Sequence, residues 1–120
     1  MDFNKCTPSS SEYELDGNFL HFLRNLELSL QLSYDSFDEL VINSAYRTPQ
    51  YEKRMGRDGS SAHCLGLAAD IACTNNSHRY HIINYAIRNK VSRIGVYRNF
   101  IHLDMATYKD KKPEFVIWYG

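Results

Sequence analysis

The stretch Ser61-Ala62-His63-Cys64-Leu65-Gly66-Leu67-Ala68-Ala69-Asp70-Ile71-Ala72 decides how the chain is read. Its second half, Leu67 to Ala72, is apolar and built of residues that suit a buried strand, yet it carries the carboxylate of Asp70. A lone buried carboxylate is costly unless a charge, hydrogen-bond donors or a metal compensates it. His63 leads into that strand seven positions ahead of Asp70. Neutral imidazole and carboxylate together suit a divalent transition metal such as zinc. The alternative is a loop histidine and a carboxylate held by backbone N–H groups. Two ligands do not make a metal centre, so a third is required.

The third comes from further along. Ile94-Gly95-Val96-Tyr97, the turn Arg98-Asn99 and Phe100-Ile101-His102-Leu103-Asp104-Met105 read as an antiparallel hairpin. A period of two puts His102 and Asp104 on one face, with Ile101, Leu103 and Met105 on the other. His63, Asp70 and His102 then form a set of three protein ligands for one zinc ion per chain, with a fourth position open. Zinc held in this way activates water and polarises a carbonyl. Amide hydrolysis also needs a base for the water and a donor for the oxyanion, and Asp104 and Arg47 are the available residues.

Around these residues the sequence reads as an α+β chain. Residues 1–18 are polar and mixed and read as an arm before a single domain, 19–120. Asp16-Gly17-Asn18 offers a cap for a helix from about Phe19 to Leu32, with Phe19, Phe22, Leu23, Leu26 and Leu30 along one face. Leu40-Val41-Ile42 is a short strand, and Pro49 is expected to end regular structure after Asn43–Thr48. Arg47, at the strand's end, could reach into a cleft and clamp a carboxylate or oxyanion, or simply cap the sheet at the surface. Gln50–Ser60 reads as a polar loop whose Lys53, Arg54 and Arg57 could draw in an anionic substrate. Ser77 offers a cap for a second helix over 78–90, with Tyr80, Ile83, Ala86 and Ile87 facing inward. His78 and His81 are a rival metal pair, but they lack a carboxylate at matching spacing and are expected to be exposed. Phe115–Tyr119 is expected to return to the sheet and bring Trp118 to the cleft rim.

The totals exclude several classes. With 43% apolar and 23% charged residues the chain is expected to fold. Its formal net charge of zero gives no reason to expect nucleic acid as a partner. No apolar run is long enough for a membrane span, and the N-terminus lacks a signal pattern. Synthesis in the cytoplasm is therefore expected. Cys6, Cys64 and Cys73 match no zinc-finger spacing and read as free thiols. A monomer is expected.

Three groups of residues resemble the M15 zinc peptidases: Ser44-Ala45-Tyr46-Arg47-Thr48-Pro49; Ser61-Ala62-His63 with Gly66, Ala68 and Asp70; and Gly95-Val96-Tyr97 followed by Phe100-Ile101-His102-Leu103-Asp104. The likeness spans roughly residues 37–118. It is strongest to the short branch containing the D-alanyl-D-alanine carboxypeptidase type and related murein endopeptidases. The resemblance implies a small antiparallel sheet carrying zinc, flanked by helices, as in the hedgehog signalling domain. It also implies cleavage of peptide bonds in peptidoglycan stems, D,D- or L,D-, as in a phage or prophage lytic enzyme acting on the wall after release or delivery. By position, His63, Asp70 and His102 would hold zinc. Arg47 would face the substrate carbonyl or carboxylate, Ser61 would bond substrate or a ligand, and Trp118 would close the cleft. Several branches carry a carboxylate three residues before the last histidine. Here that position is Asn99, which leaves Asp104 as base or as orienting residue. The loop at 53–57 also lacks the Asn and double Gly of the pattern. A non-catalytic module that binds zinc or a wall peptide is the alternative.

Overall fold

A computed structural model describes residues 1–120. Its three longest-range features are a helix α1 (Gly17–Ser33), a helix α3 (Asn76–Arg88) and a five-stranded sheet. The strands are β1 (Ile42–Ser44), β2 (Ala68–Ala72), β3 (Arg93–Val96), β4 (Phe100–Asp104) and β5 (Val116–Tyr119), in the spatial order β1-β2-β4-β3-β5. β1–β2, β2–β4 and β4–β3 pair antiparallel, whereas β5 joins β3 in parallel. The α+β class holds, and the sheet is mixed rather than wholly antiparallel. The reason is topological: β3 and β4 form a tight hairpin, and the chain must run past residues 105–115 before it returns beside β3 in β3's own direction.

Period-two alternation splits the sheet into a core face and a cleft face. Ala69, Ile71, Ile94, Ile101 and Leu103 belong to the main core, into which α1 sends Phe19, Phe22, Leu23, Leu26 and Leu30. That stripe is the one the sequence predicts. Asp16 caps α1 by accepting from the amides of Asn18 and Phe19. α3 adds Ile82 and Ala86 to the core while Tyr80 and Ile87 stay exposed. The inward face is therefore rotated from the predicted Tyr80, Ile83, Ala86 and Ile87: Ile82 and Ala86 are buried, Ile83 packs at the core's edge, and Tyr80 and Ile87 fall outside it. The helix also starts earlier, with Asn75 accepting from the amide of His78.

Two further expectations are corrected. Pro49 does not end regular structure but opens a short helix, α2 (Pro49–Arg54), with the Thr48 hydroxyl accepting from the Tyr51 amide. Proline is suited to a first helical turn, where its missing N–H is no loss. His78 and His81 are half-buried rather than exposed. His78 packs edge-on against Tyr34 and Phe37, and His81 meets the Ser29 hydroxyl at 2.8 Å. Residues 1–18 lie against the body of the fold: Cys6 and Leu15 are buried, Asp2 bridges to Val41, and the terminal ammonium meets Glu27 at 3.0 Å. The three cysteines are unpaired. No helix is long and apolar enough to cross a membrane.

β2 is the strand that positions the site. It lies between β1 and β4, so both of its edges are hydrogen-bonded, while Ala69 and Ile71 face the core and Ala68 and Asp70 the opposite side. Ala68 packs with Ala62 and Ala106 under the 3-10 turn Ala62–Leu65 that carries His63. Gly66 ends that turn at φ +71°, and a Cβ there would fall 2.9 Å from the Glu14 carbonyl oxygen. Only glycine lets the turn fold down onto β2.

Candidate metal centre and its cleft

Asp70 and His102 are direct partners across the β2–β4 ladder. The carboxylate and imidazole therefore meet on the cleft face, with Asp70 Oδ1 2.9 Å from His102 Nδ1. The turn above β2 brings His63 Nε2 to 3.4 Å from the same oxygen. One ligand atom from each of the three residues lies within 4.8 Å of the others. Zinc–ligand bonds of about 2.0–2.2 Å in a tetrahedron hold their donor atoms roughly 3.4 Å apart, so a small contraction closes the set. No other group of histidine, cysteine and acidic residues is so placed, and His78 and His81 stay apart from it.

The second nitrogen of each imidazole is fixed. His63 Nδ1 lies 2.7 Å from the Ala45 carbonyl oxygen. A carbonyl only accepts, so Nδ1 carries the proton and Nε2 presents its lone pair to the cleft. His102 Nε2 lies 2.6 Å from Asp104 Oδ2, which turns Nδ1 toward Asp70. Histidine ligands are commonly oriented in this way by a carbonyl or carboxylate behind the ring. The donor set of two oriented imidazoles and one carboxylate fits zinc.

The electrostatics agree with the geometry. Burial alone would raise the Asp70 carboxyl, but hydrogen bonds from His102 and His63 and their charges outweigh it and hold it well below the usual range. Burial likewise disfavours a charged His102. The carboxylates of Asp104 and Asp70 overcome this and push the imidazole above the ordinary histidine value. Without metal, the two flanking carboxylates thus favour the charged form of His102.

Asp104, the candidate base, borders the cleft through a buried side chain. It is 0% exposed and sits behind His102. Its Oδ1 accepts from Arg93 Nε at 2.8 Å and the Ala106 amide at 3.0 Å, and its Oδ2 is taken by His102. Arg93 in turn donates to the Pro113 carbonyl and lies 5.2 Å from the centre of the Trp118 ring. Trp118 stands 5.4 Å from the His102 ring and donates to the Tyr97 hydroxyl at 2.8 Å. It lines the cleft from β5, where the sequence places it.

The opposite wall comes from β1, α2 and the His63 turn. Arg47 donates through Nε to the Ser44 hydroxyl at 2.9 Å and through Nη1 to Glu52 Oε2 at 3.2 Å. Its Nη2 lies 3.5 Å from Asp70 Oδ2. Ser61 also donates to Glu52 Oε2. Arg47, Ser61, the three metal-binding residues and Trp118 border one open cavity of about 360 Å³. Of the basic loop residues only Arg57 reaches it, and Lys112 joins it from the far side. Glu52 and Arg93 are absent from the sequence reading. Glu52 had a signal, because Thr48-Pro49 is a cap followed by a first-turn proline and so starts a helix that turns position 52 inward. Arg93 is fixed by hairpin register, opposite Asp104.

The Peptidase M15 family matches residues 11–104, and the chain belongs to that family. That family is generally one of zinc-dependent peptidases, and in this chain His63, Asp70 and His102 form a group able to hold a metal. The match ends at Asp104, so Trp118 lies beyond it. A comparison with curated proteins gives no match.

Proposed function

We propose that the protein hydrolyses peptide bonds in peptidoglycan stem peptides, as a D,D- or L,D-peptidase using one zinc ion held by His63, Asp70 and His102. The observation that carries this reading is the convergence of three oriented ligand atoms on an open cavity that also holds Arg47. The choice of peptidoglycan rests on the likeness of the motif set to the carboxypeptidase and murein endopeptidase branch. Zinc supplies Lewis-acid chemistry there, polarising a carbonyl and making water nucleophilic near neutral pH. The chain's own groups supply the rest. Arg47 presents a fixed cation to the substrate carbonyl or carboxylate. Ser61 offers a hydroxyl at the same wall, and Trp118 covers the cleft opposite. Asp104 orients His102 from behind and fixes its tautomer, because both of its oxygens are engaged, one by His102 and the other by Arg93 and the Ala106 amide.

Zinc per chain and release of new amines from purified peptidoglycan, with and without chelator, test the proposal together. One zinc per chain with chelator-sensitive cleavage supports it, and His63→Ala should lose both. Zinc without cleavage points to a module that binds wall peptides. No zinc after reloading overturns the ligand assignment.

A further inference from the structure

Glu52 is 0% exposed, and its Oε1 has no hydrogen-bond partner. A buried ionised side chain with an empty acceptor is expensive, and nothing in the core requires it. Its other oxygen takes Arg47 Nη1 and the Ser61 hydroxyl. The Arg47 guanidinium is therefore strung between two carboxylates, Glu52 at 3.2 Å and Asp70 at 3.5 Å. The two pairings use different nitrogens, Nη1 toward Glu52 and Nη2 toward Asp70. Arg47 lies against Asp70 Oδ2 while His63 and His102 converge on Oδ1, so a closer arginine would draw the carboxylate's charge away from a metal on the Oδ1 side. An arginine drawn to Asp70 also turns its donors away from the substrate.

We propose that Glu52 is a positioning residue that shares Arg47 with Asp70 and keeps it from closing fully on that carboxylate, leaving Oδ1 to the metal and the guanidinium within reach of the substrate. The inference rests on the zinc reading above and deepens it. Glu52 balances the charge of Arg47, so this pair adds no net charge beside the candidate ligands. Removing that charge leaves one uncompensated cation whose nearest carboxylate is Asp70. Ser44 anchors only Nε of Arg47, so without Glu52 the planar guanidinium can tilt as a unit about that one bond toward Asp70.

The test compares the parent, Glu52→Gln, Glu52→Asp and the double variant Arg47→Met/Glu52→Gln. Zinc affinity is read by competition with a chromophoric chelator, and kcat and KM are read on peptidoglycan fragments. Outer-sphere partners of metal ligands typically contribute about 10–100-fold in affinity, and Glu52→Gln is expected to weaken zinc binding by about tenfold. It should also lower kcat/KM with zinc saturating. Glu52→Asp keeps the charge and should lie between Glu52→Gln and the parent. The double variant removes both buried charges, a change that folds tolerate well. It should regain zinc affinity to within a few-fold of the parent while remaining inactive. That recovery separates positioning through Arg47 from a structural role, which the second substitution would not rescue.

Parent-like zinc affinity and kcat/KM in folded Glu52→Gln would overturn the inference. So would a double variant that binds zinc as weakly as the single one. If Glu52→Gln does not fold, Glu52→Asp and the double variant decide by the same criteria. A parent chain that takes up no zinc would instead sink the metal assignment, a separate outcome.

Discussion

The two walls of the cleft each bury a carboxylate against an arginine, and the two pairs are built differently. On the sheet wall, Asp104 has both oxygens engaged: Arg93 and the Ala106 amide on one, His102 on the other. On the helical wall, Glu52 holds Arg47 and Ser61 with one oxygen and leaves the other empty. Both residues are fully buried. A saturated pair is a rigid support, because each member leaves a costly orphan if the other is removed. An under-satisfied pair is a poorer source of stability and a better adjuster of charge. Burial raises the Glu52 carboxyl, and the Ser61 hydroxyl and the Arg47 charge reverse that and hold it below the ordinary range. The sheet wall thus fixes a ligand in place, and the helical wall sets the charge beside it.

The largest difference should appear on removing the saturated member. Asp104→Asn strips the charge from beside Arg93, whose side chain is 13% exposed. Breaking a buried ion pair from one side costs about 3 kcal/mol or more, which corresponds to a drop of roughly 10 °C in melting temperature for a domain of this size. Zinc affinity should fall by about 10–100-fold because His102 loses its orienting partner, yet binding should persist, in contrast to His63→Ala. Thermal melts and chelator competition on the folded variant check both. An Asp104→Asn chain as stable as the parent would remove the distinction between the walls. Full activity in that variant would sink its role as a support for His102.

A smaller effect, of opposite sense on the two walls, lies in pH. In the metal-free chain His102 titrates above its ordinary value, raised by Asp104 and Asp70 against burial. A group whose pKa rises on folding stabilises fully below its unfolded value, about 6.5 for histidine, and loses that contribution as pH climbs through the folded value. Asp70 is shifted the other way. Its contribution is complete above about pH 4 and fades as the pH falls below that. The chelated protein should therefore melt highest between these limits and lose stability on the alkaline side. Zinc should abolish the alkaline slope, since Nδ1 then no longer carries a proton. Asp104→Asn should flatten the slope and Glu52→Gln should leave it, because Glu52 touches neither histidine. Melting curves from pH 5 to 9, with and without chelator, decide it. An identical slope in all variants would break the assignment.

Each wall was legible in the sequence except for its inner charge: Arg93 on the sheet wall and Glu52 on the helical wall. Alternation in Phe100–Met105 is a strict signal, so His102 and Asp104 could be placed on one face before any fold was known. Asp70 announced itself as a charge in an otherwise apolar strand. The α1 stripe was equally plain, because five large apolar residues repeat at helical spacing. Glu52 lay in a polar segment whose helix spans only Pro49–Arg54, too short for periodicity to register. Its burial depends on packing against Ser61 and Arg47, which a local pattern does not encode. The depth of Asp104 was hidden for a similar reason. Period two fixes its face, but Arg93 and Ala106 close over it through register and chain return. The fifth strand was foreseen, and its parallel pairing was not, since direction follows from the path of residues 105–115 rather than from composition.

The smallest effect concerns the roof that the sheet wall extends over the cleft. Gly95 sits between His102 and Trp118 in the ladder. A Cβ added there would fall 2.7 Å from Trp118 Nε1 and 2.9 Å from Tyr97 Cε2. Glycine is therefore what lets the indole lie flat on the sheet beside His102 and bond the Tyr97 hydroxyl. Gly95→Ala should push the ring outward rather than disrupt the sheet, because β5 is an edge strand with room to give. Such overpacking costs about 1–3 kcal/mol in a closed core, and the low end is expected at this edge. Trp118 is the only tryptophan, so its fluorescence reports the displacement directly. Emission should move toward that of exposed indole, zinc affinity should hold, and KM should rise a few-fold with kcat little changed. If KM held while the emission shifted, Trp118 would be a structural cover for Arg93 rather than a contact for the substrate. The aromatic side of the cleft would then begin at Tyr97 and Phe100, whose stacked rings lie 4.4 Å apart at its edge.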